Sequence, residues 1–412
     1  MNKKSELPQG FYAAGFFGHI KAEGPDMALL LSDRPASSAG VFTTNRVKAA
    51  CIDWNRQICG NPVRASVRAS ARAILINSGN ANACTGNRGA QDNRRLAADL
   101  AESFKIEPEE VLLASTGVIG VPLPIEGMVQ AVCTLPQSAE APDSSAEALD
   151  KAARAIMTTD LQKKTAEYNF SVEGRPVRIT GIAKGSGMIH PNMATMLGFI
   201  LTDAQIEASL FQHLLKGIVD DSFNMISVDG DTSTNDMVVA LANGASEVSI
   251  TTPGTQAWKE FKEGLNYVAR ELAIMIARDG EGATKLISAT VNGALSLRDA
   301  RILARGVISS NLVKAAFFGE DANWGRVLAA MGYSGGAFDP RNVDILFRSA
   351  AGELPMMKSG NPLSFGEEEA AALLAEDEVE VIIQLFEGSG SATAWGCDLT
   401  YDYVKINGSY RT

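Results

Sequence analysis

Short apolar segments alternate with amphipathic segments and glycine-containing turns along the chain, and this alternation limits the fold to classes that mix strands with helices. Residues 73–76 and 111–113 are apolar runs of the kind that form buried strands. Residues 146–157 follow a Pro/Ser/Ala-rich loop and predict a helix. A second helix is predicted over residues 257–277, and Asp279-Gly280 should end it. We therefore expect a mixed α/β or α+β fold, whose strand order the pattern leaves open.

The composition is that of a globular protein long enough for two or three domains. Of the 412 residues, 46% are hydrophobic and 21% are charged. The formal net charge of −11 argues against nucleic-acid and anionic-membrane partners, because both need basic surfaces. The N terminus lacks an apolar signal segment, and no run of about 18 apolar residues occurs, so we expect a soluble, cytoplasmic protein. The sequence pattern changes near residues 284–290. This change predicts a larger α/β domain over residues 1–285 and a smaller C-terminal α/β domain over residues 286–412.

Cysteine and histidine are too few and too scattered for the commonest metal and nucleophile sites. The five cysteines are widely spaced and include no CxxC pair, which suits reduced thiols better than disulfides or a zinc site. Of the three histidines, His213 lies on a predicted helix surface, which leaves only His19 and His190 as candidate bases. The chain therefore offers few residues for a histidine metal site or a Ser-His-Asp triad. If the protein is an enzyme, we expect its base to be another group.

The segment 184–199, KGSGMIHPNMATMLGF, joins an irregular half rich in glycine to an apolar half that predicts a buried element. Thr195 lies where the halves meet. A threonine hydroxyl needs an adjacent base, and the α-amine of an N-terminal threonine, with a pKa of roughly 7.7–8.0, supplies one. An internal Thr195 would first have to break its bond to Ala194, which a distorted backbone favours. On this pattern alone, an ordinary loop entering a core strand is the simpler interpretation.

Three other segments carry polar side chains in positions that suit a binding site. Thr116-Gly117 follows a predicted strand, and a turn there either presents donors to an oxyanion or is an ordinary turn. Residues 227–236, SVDGDTSTND, begin like a calcium loop but lack its glycine and its final glutamate, so we expect a polar loop packed near a site. Glu281 follows a helix end, where it either faces a ligand ammonium group or lies on the surface.

The C-terminal tail, residues 397–412, is aromatic where most tails are polar and frayed. Its pattern predicts a docked, strand-like segment. Asn407 and the carboxylate of Thr412 are then candidate ligand contacts.

Several blocks of this sequence are long and peculiar to one enzyme family. They are KGSGMIHPNMATML, SDRPASSAGVFTTNRVKAA, NSGNANACTG, ASTGVIGVPLP, SVDGDTSTND, FFGEDANWGRV and GCDLTYDYVKINGSYRT. Together they resemble the ornithine acetyltransferase (glutamate N-acetyltransferase) family of arginine biosynthesis. The resemblance extends from about Gly15 to Thr412, and it reverses the simpler interpretation of Thr195.

The resemblance implies a precursor that cleaves itself between Ala194 and Thr195. The products would be an α chain of residues 1–194 and a β chain of residues 195–412, which stay together, typically as an α2β2 assembly. It implies a fold similar to the aminopeptidase/ornithine acetyltransferase type, with sheets stacked between helical layers, and a catalytic role for the larger domain. No metal or cofactor is implied.

The resemblance also implies a mechanism. The freed amine of Thr195 takes the hydroxyl proton, and the oxygen attacks the acetyl carbonyl of N2-acetylornithine while Thr116 and Gly117 hold the oxyanion. Ornithine leaves, and glutamate takes the acetyl group from Thr195 in a ping-pong order. Acetyl-CoA as a second donor is left open. By the same resemblance, the substrate contacts are Thr158, Lys184, Thr195, Glu281, Asn407 and Thr412. We expect Lys184 to meet a carboxylate or polarise the site, and Glu281 to place a charged group.

Two positions depart from the family pattern. The family often has a small residue at position 190, and we expect His190 to face solvent rather than to tune the cleavage. It often reads TTDT where this chain has TTDL, so the missing hydroxyl of Leu161 puts this corner of the pocket in question. Two other functions stay open: an aminopeptidase or amidase of the same fold, which passes the acyl group to water, and a non-catalytic binding protein.

Overall fold

The computed structural model describes residues 5–59, 69–190 and 196–409, in which strands and helices alternate. The strands are β1 (Phe11–Phe16), β2 (Met27–Phe42), β3 (Ser70–Asn80), β4 (Val111–Val118), β5 (Lys164–Val172), β6 (Arg175–Lys184), β7 (Leu197–Thr202), β8 (Gln205–Ile206), β9 (Ile226–Ser227), β10 (Met237–Ala242), β11 (Ser249–Ile250), β12 (Leu286–Ala294), β13 (Val343–Ser349), β14 (Gly352–Lys358), β15 (Asn361–Pro362), β16 (Glu378–Leu385) and β17 (Gly390–Cys397). The helices are α1 (Ala50–Ile58), α2 (Gly86–Phe104), α3 (Ile125–Thr134), α4 (Ala146–Ala155), α5 (Ala208–Asp220), α6 (Gln256–Arg278), α7 (Leu297–Ser309), α8 (Asn311–Phe318), α9 (Trp324–Tyr333), α10 (Glu367–Leu374) and α11 (Tyr401–Ser409). The expected mixed α/β class is confirmed.

Two large sheets organise these elements. The first has the order β4-β3-β2-β10-β7-β6-β5, with β1 beside β2, and the second has the order β15-β14-β13-β16-β12-β17-β9. A separate pair is formed by β8 and β11. The second sheet begins its main run with β12 at Leu286, but it also takes β9 from the earlier part of the chain. The division into domains of residues 1–285 and 286–412 therefore stays a prediction.

The centre of the first sheet is fully buried, which explains why its strands are continuous apolar runs. β7 and β10 run parallel with Leu197 opposite Met237, and all six residues of each strand are buried. β2 connects the two halves of the sheet, because its first half pairs with β1 and β3 and its last residues pair with β10. As parallel neighbours, β7 and β10 begin side by side, deep in the protein.

The core consists of three clusters of buried apolar side chains. One lies around β1–β4 with α1–α4, another around β5–β7 with α5 and α6, and the third around the second sheet with α7–α10. The helix predicted over residues 257–277 is α6, and it ends at Asp279 as expected. Val268 and Leu272 of α6 pack over Gly181 of β6, where a Cβ atom would lie only 2.7 Å from Leu272 Cδ1. Glycine at position 181 therefore allows the helix to approach the sheet closely.

Two local predictions are wrong. Residues 401–409 of the tail form a helix, α11, rather than a strand, and none of these nine residues is buried, so the aromatic spacing of Tyr401 and Tyr403 does not reflect a buried strand face. Thr116 and Gly117 belong to the end of β4 and not to a turn, because pairing with β3 continues through both. No helix within the described ranges is both long enough and apolar enough to cross a membrane.

Leu272→Ala tests the contact between α6 and β6. Leu272 is fully buried, so its truncation should lower the free energy of unfolding by about 2–5 kcal/mol. Chemical denaturation measures this change. The exposed Lys262→Ala on the same helix is the control and should change the value by less than about 0.5 kcal/mol. Equal effects of the two substitutions would contradict the packing described here.

Candidate active site

A cavity of about 360 Å³ lies where the ends of β4 and β6 and the start of β7 face α11. Its lining comes from segments that are far apart in the sequence. The lining residues are Thr116, Gly117, Ile119, Thr158, Thr159, Lys184, Gly187, Met188, Met196, Leu197, Asp229, Asp231, Ser233, Thr234, Asn235, Asp236, Glu281, Tyr403 and Asn407.

The structure brings most of the predicted site residues to this one cavity. Those in its lining are Thr116, Gly117, Thr158, Lys184, Glu281 and Asn407. Ala194, Thr195 and Thr412 lie outside the described residues. The predicted polar loop, residues 227–236, contributes six residues to the lining and thus does pack near the cavity. The roles assigned to these side chains stay predictions.

Gly117 allows the backbone to come unusually close to the neighbouring strand at the end of β4. Its φ of +130° lies in the region that favours glycine. A Cβ atom at this position would lie 2.3 Å from the carbonyl carbon of Gly79. Thr116, immediately before it, is half-buried. This backbone can therefore present an N–H group and a hydroxyl to the cavity with little freedom to move.

Lys184 is the buried cation of the cavity. Its Nζ atom lies 2.8 Å from Thr158 Oγ1 and 3.4 Å from Thr116 Oγ1, and it donates to both hydroxyl oxygens. Burial lowers the pKa of Lys184, and the negative charge of Asp160 opposes that shift. The lysine thus connects the predicted oxyanion residue with a predicted substrate contact.

Asp160 anchors this lysine from behind. Its carboxylate accepts hydrogen bonds from the backbone N–H of Gly185 at 2.6 Å and of Thr158 at 3.0 Å. It also pairs with the buried ammonium group of Lys164 at 2.7 Å and lies 3.8 Å from Lys184 Nζ. Burial alone would raise the pKa of Asp160, but the charges of Lys184 and Lys164 outweigh it and hold this pKa below its usual range.

The Leu161 side chain does not belong to the cavity. It is 80% exposed, while its backbone N–H donates to Asp279 at 3.1 Å. The missing hydroxyl at this position therefore leaves the cavity wall at Thr158 intact.

Glu281 lies in the cavity wall and not on the surface. The side chain is buried, its backbone N–H donates to the carbonyl oxygen of Ser186 at 2.9 Å, and its carboxylate accepts from Asn407 Nδ2 at 2.8 Å. Gly187 makes room for it, since a Cβ atom there would lie 2.3 Å from the Glu281 carboxyl carbon. A second anchor of α11 is Thr400, whose hydroxyl donates to the carbonyl oxygen of Gly282 at 2.7 Å.

Three cavity residues were missed as individual candidates in the sequence. Asp229 accepts hydrogen bonds from the backbone N–H groups of Met188 and Ile189 at 2.6 and 2.8 Å. Tyr403 faces Asp229 from α11; burial first and that carboxylate second raise the pKa of the phenol. Asp236 is 3% exposed, and burial raises the pKa of its carboxyl group well above the usual value. The polar loop 227–236 was the only signal for the two aspartates, and it did not single them out.

His190 is half-buried, so the expectation that it faces solvent is wrong. Its Nδ1 atom lies 3.0 Å from Ser227 Oγ and its Nε2 atom 3.1 Å from Arg305 Nη2. Both partners come from elements distant in the sequence, which a reading of neighbouring residues does not reveal. Burial, followed by the charge of Arg305, lowers the pKa of His190 to about 4.

Comparison with known proteins adds evidence that covers the whole chain. The ArgJ family matches residues 12–412. The arginine biosynthesis bifunctional protein ArgJ of Caldanaerobacter subterraneus subsp. tengcongensis is 50% identical over 100% of this chain and 99% of its own length. The protein of the same name from Symbiobacterium thermophilum is 52% identical over 98% of both chains. That of Thermotoga neapolitana is 47% identical over 98% of this chain and 100% of its own length.

His190→Gln tests the buried environment of the imidazole. Because the folded protein lowers the pKa of His190 to about 4, the unfolded chain binds its proton first as the pH falls from about 6.5. Wild-type stability should therefore fall between pH 6.5 and pH 4, and His190→Gln should lose less over this window. Urea midpoints at several pH values measure the effect, with His213→Gln, at an exposed position of α5, as the control. Parallel pH profiles of wild type and His190→Gln would contradict the assignment.

Proposed function

The chain belongs to the ArgJ family, and on this premise we propose that it is an ornithine acetyltransferase, which moves an acetyl group from N2-acetylornithine to glutamate in arginine biosynthesis. The three relatives are named for that biosynthesis and match the chain from end to end. One structural observation carries the assignment to specific residues. Six residues predicted for this chemistry, which come from five separate parts of the sequence, line a single cavity.

The nucleophile in this proposal is Thr195, freed by cleavage of its bond to Ala194. Its neighbour Met196 lines the cavity together with Thr116 and Gly117, which supports the placement of the reacting hydroxyl there. The new α-amine takes the hydroxyl proton, and the oxygen attacks the acetyl carbonyl. The same amine returns a proton to the leaving α-amine of ornithine. The acetyl group then waits as an ester on Thr195.

The oxyanion forms against Thr116 and Gly117. The close backbone approach at Gly117 and the hydrogen bond from Lys184 to Thr116 support a rigid donor set, which is what stabilisation of a developing negative charge requires. A donor of this kind contributes roughly 3–4 kcal/mol to the transition state. Lys184 adds its positive charge from beside Thr158, at 2.8 Å.

The charge pattern of the cavity suits amino-acid substrates. Lys184 offers a cation to a carboxylate, whereas Glu281, held by Asn407, offers an anion to an ammonium group. N2-Acetylornithine carries an α-carboxylate and a side-chain ammonium group, and glutamate carries an α-carboxylate, a side-chain carboxylate and the α-amino group that accepts the acetyl group. One cavity with both signs can therefore bind the donor and the acceptor in turn, as a ping-pong order needs. The hydrolase alternative is not favoured, because the relatives are named for a biosynthetic pathway.

The chemistry needs no metal or cofactor, since an amine, a hydroxyl and N–H donors suffice for acyl transfer. The word bifunctional in the names of the relatives supports acetyl-CoA as a second acetyl donor. We place the enzyme in the cytoplasm as an α2β2 assembly. All five cysteines lie in the described residues without disulfides, as a reducing compartment favours.

Thr195→Ala should abolish self-cleavage, because the attacking oxygen is removed. Wild type should give two fragments by mass spectrometry, one of which begins Thr-Met-Leu-Gly, whereas the variant should remain one chain near 43.6 kDa. Thr251→Ala, which removes an exposed hydroxyl outside the cavity, is the control and should be cleaved normally. A fully active wild type that stays intact would rule out this mechanism.

Purified enzyme should convert N2-acetylornithine to ornithine over many turnovers only when glutamate is present. Without glutamate, about one equivalent of ornithine per active site should appear, because the acetyl ester accumulates. Stopped assays of ornithine and acetate measure both cases. Acetate released at an undiminished rate without glutamate would show a hydrolase instead. A parallel assay with acetyl-CoA and glutamate tests the second donor.

A further inference from the structure

Self-cleavage needs a base for the Thr195 hydroxyl proton that differs from the base of the mature enzyme. This inference rests on the proposed function, in which Thr195 cleaves its own bond to Ala194. Before that cleavage, the nitrogen of Thr195 is part of a peptide bond and has no basic lone pair. The amine that serves as base in every later turnover therefore does not yet exist. Another group has to accept the hydroxyl proton in the precursor.

The sheet places one carboxyl group beside the nucleophile's neighbour. β7 and β10 run parallel with Leu197 opposite Met237, and the backbone N–H of Met237 donates to the carbonyl oxygen of Met196 at 3.0 Å. Asp236, which precedes Met237, therefore lies next to Met196, which is bonded directly to Thr195. On its other side, the carbonyl oxygen of Asp236 accepts from the backbone N–H of Thr43 at 2.9 Å. The position of Asp236 is thus fixed by strands on both sides.

The side chain of Asp236 has one oxygen without a donor. The Ser233 side chain and the Met196 N–H lower the pKa of the carboxyl group and so oppose the effect of its burial in part. Its Oδ2 atom is buried and has no hydrogen-bond partner among the described residues. An acceptor left in this state costs free energy, so a buried carboxyl oxygen in a cavity wall calls for a donor. A hydroxyl group at the cavity end of β7 would supply one.

Two other acidic residues of the cavity, Asp229 and Glu281, already accept hydrogen bonds from nearby donors. Asp229 accepts from two backbone N–H groups, and Glu281 accepts from Asn407. Burial raises the pKa of Asp236 well above its usual value, and the nearby charge of Lys184 opposes this only in part. A carboxylate with a raised pKa is the stronger base, and it is better matched to a proton transfer near neutral pH.

We propose that Asp236 is the base that removes the hydroxyl proton of Thr195 during self-cleavage. The proton moves from Thr195 Oγ to the Asp236 carboxylate as Oγ bonds to the carbonyl carbon of Ala194. The bond between that carbon and the Thr195 nitrogen then breaks, and the nitrogen takes the proton back from Asp236. One water molecule hydrolyses the resulting ester, which gives the Ala194 carboxylate and the free N-terminal Thr195.

Asp236→Asn keeps the shape of the side chain but removes the base. Precursor made in a cell-free extract and chased at pH 6–9 should be cleaved about 10²–10⁴-fold more slowly than wild type, as judged by gel. The wild-type rate should rise with pH until Asp236 is ionised, and the variant should lack this rise. Lys184, Asp229, Asp231, Glu281 and Tyr403 also line the cavity, and all are retained in the variant. Cleavage of the variant at the wild-type rate and with the wild-type pH profile overturns the proposal.

A second variant separates chemistry from structure. Asp236→Ala leaves space beside the cavity, and added formate, a small carboxylate, should restore its cleavage at least tenfold. No rescue in a variant whose circular dichroism and melting temperature match wild type overturns the proposal. The matched control is Asp203→Asn, another buried acid with a burial-raised pKa that does not line the cavity; its precursor should mature at the wild-type rate. If wild type itself is not cleaved, the proposed function fails as well, whereas a failure confined to the Asp236 variants leaves it standing.

Discussion

A buried carboxylate, Asp160, holds together the parts of the structure on which the cavity depends. It accepts hydrogen bonds from the backbone of Thr158 and Gly185, pairs with Lys164 and lies 3.8 Å from Lys184. Lys164 extends the network to the end of α6. Removal of one partner from such a buried pair typically costs about 3–5 kcal/mol, because the other charge stays uncompensated. A loop, a strand end and a helix end are therefore fixed as one unit, and Lys184 reaches the cavity from a defined position.

This cavity concentrates polar groups that a stable fold would otherwise avoid burying. Lys184, Asp236 and Glu281 are all at least nine-tenths buried, and each loses hydration that only specific partners replace. Three clusters of buried apolar side chains surround the cavity, and the free energy gained by their burial offsets the cost of burying these polar groups. The exposed helix α11 contributes little to these clusters and is held by single hydrogen bonds such as that from Asn407 to Glu281. The apolar clusters therefore stabilise the fold, and the polar groups of the candidate active site lie in the cavity between them.

Features that depend on neighbours in the sequence could be predicted, whereas those that depend on distant partners could not. The apolar runs in β3 and β4 and the stripe of α6 reveal themselves by periodicity. The burial of His190 depends on Arg305, and the importance of Asp236 depends on the pairing of β7 with β10. Neither partner is marked in the local sequence. The family resemblance predicted Lys184 and Glu281 as site residues but did not explain their positions. The contacts of Asp160 explain the position of Lys184, and the missing side chain of Gly187 explains how Glu281 fits.

In the proposed mechanism, the hydroxyl of Thr195 reacts once in the precursor and again in every turnover, and the burial of Asp236 suits both conditions. In the precursor, a carboxylate must be basic enough to accept the hydroxyl proton, which a raised pKa favours. In the mature enzyme of this mechanism, a permanently ionised carboxylate at position 236 would stabilise the ammonium form of the new N terminus and withdraw it from its role as base. A carboxyl group that is readily protonated interferes less. In this proposal, the same desolvation makes Asp236 a base for the single cleavage step and limits the interference of its charge with the amine that acts in every turnover.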